Sequence, residues 1–136
     1  MSYTAMYAVA LDGQVTVAAE YRNAWGSAAR VWSALHEWYV RPGSGRHWLE
    51  AGEMAATWCL ADDPTVLTCA RAVLLATFDR AVVEGARLAE MAAHCCAFVA
   101  AYHAEPGAVD HLPAWATDLE RLAAGPPLLG VCFRQT

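Results

Sequence analysis

Residues 3–21 read YTAMYAVALDGQVTVAAEY, two runs of apolar and β-forming residues on either side of Asp12-Gly13. An Asp-Gly step between alternating runs is a strong hairpin signal, because a two-residue type I′ turn needs left-handed backbone at both central positions. Tyr7, Val9 and Leu11 alternate with Met6, Ala8 and Ala10, and Val15 and Val17 carry the alternation across the turn. The two faces differ in size more than in polarity. Strands are expected near 4–11 and 14–21.

Helical periodicity takes over at YRNAWGSAARVW, residues 21–32. Asn23 is placed to cap a first turn, and a helix is expected to run to Val40, ahead of Arg41-Pro42-Gly43. Trp25, Ala28, Trp32, Leu35 and Tyr39 fall on one stripe, with Ser27, Arg30, Glu37 and Arg41 opposite. Gly26, Ala29 and Ser33 make a shoulder where another backbone can approach closely, compensating the roughly 1 kcal/mol that a helical glycine costs. A second helix is expected at 46–60, with Trp48, Ala51, Ala55 and Trp58 on its stripe. Others are expected at 64–76 (Asp63 as cap, Pro64 at the first position), at 85–104 and at 113–123. Alternation in TFDRAVV favours a short strand near 78–83, able to join the hairpin, and the closing GPPLLGVCFRQT reads as an extended tail. The expected fold is therefore α+β in a single domain over residues 1–136, a hairpin or small antiparallel sheet packed by four or five helices.

The chain is 57% hydrophobic and only 17% charged, against about 25% in typical globular domains. Apolar surface in excess of what the core absorbs points to a self-interface or a partner, so a homodimer is expected. All nine basic residues are arginines, spaced singly along a chain of net charge −5. Without a basic stripe to neutralise phosphates, nucleic acid is not an expected partner. No apolar run reaches the 18 residues of a membrane span, and MSYTAMYAVALDG lacks the basic start of a signal peptide. Five cysteines without framework spacing read as reduced thiols. The expectation is a cytoplasmic protein with no cofactor.

YRNAWGSAARVWSAL, VLLATFDRAVV and HLPAWATDLERL occur in that order between residues 21 and 122. Together they resemble a group of small proteins carried by bacteriophages and prophages, which share an Asn-Ala-Trp/His-Gly-Ser-Ala helix start, a Thr-Phe-Asp-Arg element and a Leu-Pro element before a final helix. This chain departs from that pattern at Ala114 and Trp115, which replace acidic and glutamine residues, and in the Ala- and Cys-rich helix after Val83. The resemblance implies a setting rather than a mechanism, a mobile element acting in a bacterial cytoplasm. Within it the leading expectation is an accessory protein that binds another protein, in its most concrete form an inhibitor of host defence of the anti-CRISPR type.

Interfaces favour Trp, Tyr and Arg, which makes Trp25, Arg30, Trp38 and Trp48 candidate partner contacts. Asp79 and Arg80, the most polar pair in an apolar neighbourhood, carry two readings: a partner contact, or a turn cap with an internal ion pair. The runner-up function is metal or thiol chemistry at Cys95, Cys96 and His103, although consecutive cysteines diverge by about 100° on a helix. A homodimeric accessory of phage assembly is the third reading. His47, Glu50 and Glu53 share one side of the second expected helix and read as a solvated face. No phosphate loop, nucleophile elbow or dinucleotide fingerprint occurs, which weighs against an enzyme.

Overall fold

In the computed structural model, residues 2–102 and 111–135 are described. The sheet has four antiparallel strands in the order β2-β1-β4-β3: β1 Tyr3–Ala10, β2 Val15–Arg22, β3 Val83–Glu84 and β4 Leu128–Gln135. Five α-helices accompany it, α1 Ala28–Leu35, α2 Glu53–Trp58, α3 Thr68–Ala76, α4 Leu88–Ala101 and α5 Leu112–Ala123. The α+β expectation holds. No helix among the described residues is long and apolar enough to cross a membrane.

The hairpin forms where expected, but its turn is of another type. Gly13 N–H bonds to Ala10 O at 2.9 Å and Ala10 N–H to Gln14 O at 2.8 Å, with Gly13 at φ 88°. Asp12 is not left-handed, which excludes type I′. The loop is a three-residue turn closed by a left-handed glycine, and the Asp12 carboxylate accepts from Gln14 N–H at 2.9 Å.

Because side chains alternate across a pleated strand, Thr4, Met6 and Ala8 of β1 point into the helical layer. Tyr21 of β2 and Val131 and Phe133 of β4 join them, and all six are buried. Helix α5 sits across this face, its Trp115 ring stacked on Phe133 at 3.9 Å between centroids. Helix α4 packs beside it through Leu88, Met91, Cys95 and Phe98, and α3 and α1 complete the core with Val73, Leu74, Val31 and Leu35. The other sheet face stays open. Tyr7 stands between Val17 and Cys132 there, and Val9 between Val15 and Gly130. A bulge at Ala18 shifts the β1–β2 register between Met6 and Tyr7, and Arg121 of α5 donates to the Ala18 carbonyl at 3.2 Å.

The helices are shorter than their periodicity implies. The 23–40 helix breaks into a 3-10 turn at Ala24–Gly26, α1, and a π turn at His36–Val40. Asn23 does cap the first of these, its side chain accepting from Trp25 N–H at 3.3 Å. The 46–60 helix shrinks to α2, since Gly52 is left-handed at φ 80° and Glu50 and Glu53 bond backward into turns. Asp63 spends its carboxylate on the Thr65 N–H and hydroxyl at 2.9 and 2.7 Å, so α3 starts only at Thr68. The TFDRAVV strand is a correction too: residues 77–81 turn at the end of α3, and only Val83–Glu84 pair. The extended tail, by contrast, becomes β4 and lies next to β1 inside the sheet.

Gly130 makes the β3–β4 pairing possible. A Cβ there would meet Val83 O and Val82 Cγ1, each at 2.6 Å. Gly130→Ala is expected to cost about 1–3 kcal/mol, the usual scale for overpacking, seen as a lower urea midpoint with an unchanged denaturant slope. An unshifted midpoint would mean that β3 is dispensable.

Candidate functional site

Five rings make a continuous aromatic ridge on the helical side. Trp25 packs on Trp48 at 5.8 Å, Trp48 on Trp32 at 5.5 Å, Trp32 on Trp58 at 5.6 Å and Trp58 on Phe78 at 6.2 Å. Most contacts are edge-on, the arrangement the ring quadrupole favours, each adding about 0.5–1.5 kcal/mol beyond burial. Trp32 is fixed by its Nε1–H donating to Thr77 Oγ1 at 2.9 Å. His47 stacks on Trp48 at 5.2 Å. The ends of the ridge reach solvent, Trp25 being 56% exposed and Trp58 40%, whereas Trp48 is only 5% exposed.

Of the candidate partner contacts, Trp25 and Trp48 thus come together, with Trp48 supporting the surface from beneath. Arg30 is half-buried on α1. Trp38 is exposed but belongs to another group, edge-on to Tyr102 at 5.4 Å. Burial first, and the hydrogen bond with Tyr39 second, pushes the Tyr102 hydroxyl to well above its ordinary pKa. Trp58 lies on the inward stripe of its expected helix and is nevertheless exposed. The brevity of α2 explains this, because it leaves Trp58 at a helix end.

Glu53 belongs to a different environment from the solvated face expected for it. Its carboxylate is buried and held by His36 Nε2 at 2.9 Å, Arg46 Nη1 at 3.3 Å and Arg41 Nε at 3.4 Å. These bonds fasten residues 41–52 to the end of the first helical run. His47 and Glu50 are exposed, as expected, Glu50 pairing with Arg46 at 2.9 Å.

The cysteine reading disperses. Cys95 is fully buried in the α4 stripe, Cys96 faces outward one position on, and His103 lies outside the described residues. No group of three or more metal-ligating side chains gathers among the described residues. Ser27 and His111 Nδ1 do meet in a hydrogen bond, and His111 N–H donates to Gly26 O at 2.7 Å. Both side chains are buried and line neither cleft described below. The pair bolts the start of α1 to the start of α5.

Two clefts accompany the ridge. One, of about 350 Å³, lies between α3, β3 and α4, lined by Arg71, Leu75, Arg87, Glu90, Met91 and His94. Its charges are internally matched, Arg87 with Glu90 at 2.9 Å and His94 with Glu90 at 3.5 Å. The other, of about 530 Å³, lies on the open sheet face, where Tyr7, Val15 and Cys132 meet Asp79, Arg80, Val82 and Arg134. Asp79 and Arg80 are exposed, and Arg80 is left-handed at φ 69°. For a residue with a Cβ that conformation costs roughly 1–2 kcal/mol. Burial raises the pKa of the Cys132 thiol.

No family model matches the chain, and comparison with curated proteins and with solved structures gives no match.

The buried ion cluster makes stability sensitive to acid. The hydrogen bond from His36, then Arg41 and Arg46, holds the Glu53 carboxyl below its ordinary range. In the acid window the unfolded chain therefore binds more protons, so this stability is complete above the unfolded carboxyl pKa and is lost as pH falls through the lowered native value. Glu53→Gln should flatten that acid limb in urea titrations and lower the midpoint at neutral pH; an unchanged limb would detach Glu53 from the effect. At the sheet-face cleft, Arg80→Gly removes the left-handed penalty against a glycine entropy cost of about 0.5–1 kcal/mol. Its stability should equal the wild type or exceed it by up to about 1 kcal/mol, the difference of those two costs. A clear loss would show that Arg80 serves the fold.

Proposed function

We propose that the chain is a phage- or prophage-encoded accessory protein that acts by binding another protein, with the aromatic ridge as its contact surface. The observation that carries this reading is the pair of indoles, Trp25 and Trp58, standing in solvent at the two ends of a stack whose middle is sunk. Rings held in place beforehand lose little conformational freedom on binding. Tryptophan is also the residue most often found to dominate interface energetics. The mobile-element setting rests on the resemblance carried by residues 21–122, and inhibition of a host defence system is its most concrete form. That setting makes the bacterial cytoplasm the site of action.

A second reading, a homodimer, is favoured by the hairpin. Leu11, Val15 and Val17 are each more than half exposed, and they lie together on β2 and its turn. A self-interface across this sheet face would cover them.

The test is native mass spectrometry of the protein recovered from a lysate of its host, compared with Trp25→Ala and Trp58→Ala. A heavier complex is expected for the wild type, weakened by about 2 kcal/mol per truncation, a roughly 30-fold loss of affinity. Far-UV circular dichroism and urea midpoint should barely change. A complex that survives both truncations removes the ridge from the interface. A dimer that falls apart in Val17→Asp, with no heavier species, transfers the assignment to self-assembly.

A further inference from the structure

The outer edge of β4 pairs with β3 only at Gly130 and Val131. From Cys132 to Gln135 no strand adjoins that edge among the described residues. The segment that would prolong β3 turns away: Ala81 N–H closes on Phe78 O at 3.1 Å, and Arg80 is left-handed. The space left open is the groove of about 530 Å³ on the sheet face.

We infer that this groove receives an extended, acidic segment of a partner protein, added as a fifth strand against β4, with its carboxylates paired to Arg80 and Arg134. An open edge offers unpaired backbone donors and acceptors in the pattern that strand addition uses, and alternate side chains of the guest supply specificity. The floor suits that alternation, since Tyr7 and Cys132 stand opposite each other on the open face and present apolar surface.

Charge selects the guest. Neither Arg80 nor Arg134 has a carboxylate within ion-pair distance among the described residues, although the chain as a whole is acidic. Asp79 shares the groove, which leaves two cations against one anion in its lining. An acidic strand completes the set, a basic one meets repulsion, and guanidinium groups suit carboxylates through paired, directed donors. The left-handed backbone at Arg80 points the same way, because strain of this kind gathers at ligand clamps. The groove and the aromatic ridge share no residue, so the two surfaces stand or fall separately.

The experiment titrates the full chain with a fluorescein-labelled peptide alternating valine and glutamate, read by fluorescence anisotropy. Saturable binding is expected, at least tenfold weaker for the glutamine counterpart and absent for the lysine counterpart. Methylating alternate backbone nitrogens of the glutamate peptide should abolish binding, which separates strand addition from simple charge attraction. Arg80→Gly and Arg134→Gln should each weaken binding at least fivefold at unchanged urea midpoint, while Trp25→Ala leaves it as it was. Equal binding of the glutamate and glutamine peptides, indifference to both arginine variants, or no saturable binding would each overturn the inference. So would self-association that excludes the peptide and is lost in Arg134→Gln, because a second copy would then fill the groove.

Discussion

The stack of Trp115 on Phe133, 3.9 Å between ring centroids, fastens the helical layer to the sheet. Each ring is there only because a distant pairing has been made. Phe133 faces inward when β4 lies in register with β1, Phe133 opposite Met6. Trp115 reaches it when the start of α5 is held to the start of α1 by the Ser27–His111 pair and by His111 N–H on Gly26 O. The buried Trp115 Nε1 has no hydrogen-bond partner among the described residues, an omission that costs about 1–3 kcal/mol. Burying two large rings face to face outweighs it. Tyr21 braces the same corner, its ring 6.4 Å from Trp115 and its hydroxyl donating to Asp118 at 2.7 Å.

That fastening commits one sheet face to the core and leaves the other to solvent. It also decides what the tryptophans do. With the core already filled by Trp115, Leu35, Leu74 and Leu119, the rings of the first helical run and of α2 stack on one another at its margin. Trp32 anchors them through Thr77, which itself donates to Leu74 O at 2.6 Å and so ties the ridge to α3. The ridge is rigid because its base is part of the fold. Its exposed ends remain free for another use.

The sequence is legible where the structure is local. The hairpin follows from Asp12-Gly13 and the alternation around it, and the α4 stripe of Leu88, Met91, Cys95 and Phe98 follows from its period. Glu53 is different, because the spacing of Trp48, Ala51, Ala55 and Trp58 fits a helix as well as it fits a turn leading into one. A left-handed Gly52 decides between them, and its conformation depends on the ion pairs that draw Glu53 inward. The place of β4 beside β1 is not legible either, since strand partners more than a hundred residues apart leave no local trace. Once that pairing is known, the alternation of Val131 and Phe133 with Cys132 and Arg134 puts the latter two on the open face. The groove and half of its charge then become visible from sequence.

The arginines divide along the same line as the surfaces. Arg41 and Arg46 hold Glu53, Arg87 holds Glu90, and Arg121 pairs with Asp118 while covering the Ala18 carbonyl at the bulge. Each of these four bridges elements or steadies a helix, and each has an acid in reach. Arg80 and Arg134 do neither. They come from opposite ends of the chain's second half, meet in one groove, and face outward with no acid beside them among the described residues. A surface arginine needs no partner to be stable in water, so their isolation alone carries little weight. What gives it weight is the backbone. Arg80 occupies a conformation that glycine would adopt without strain, at the point where β4 loses its neighbour. The strain and the unmatched charge therefore fall together, at an edge where the sheet can still accept a strand.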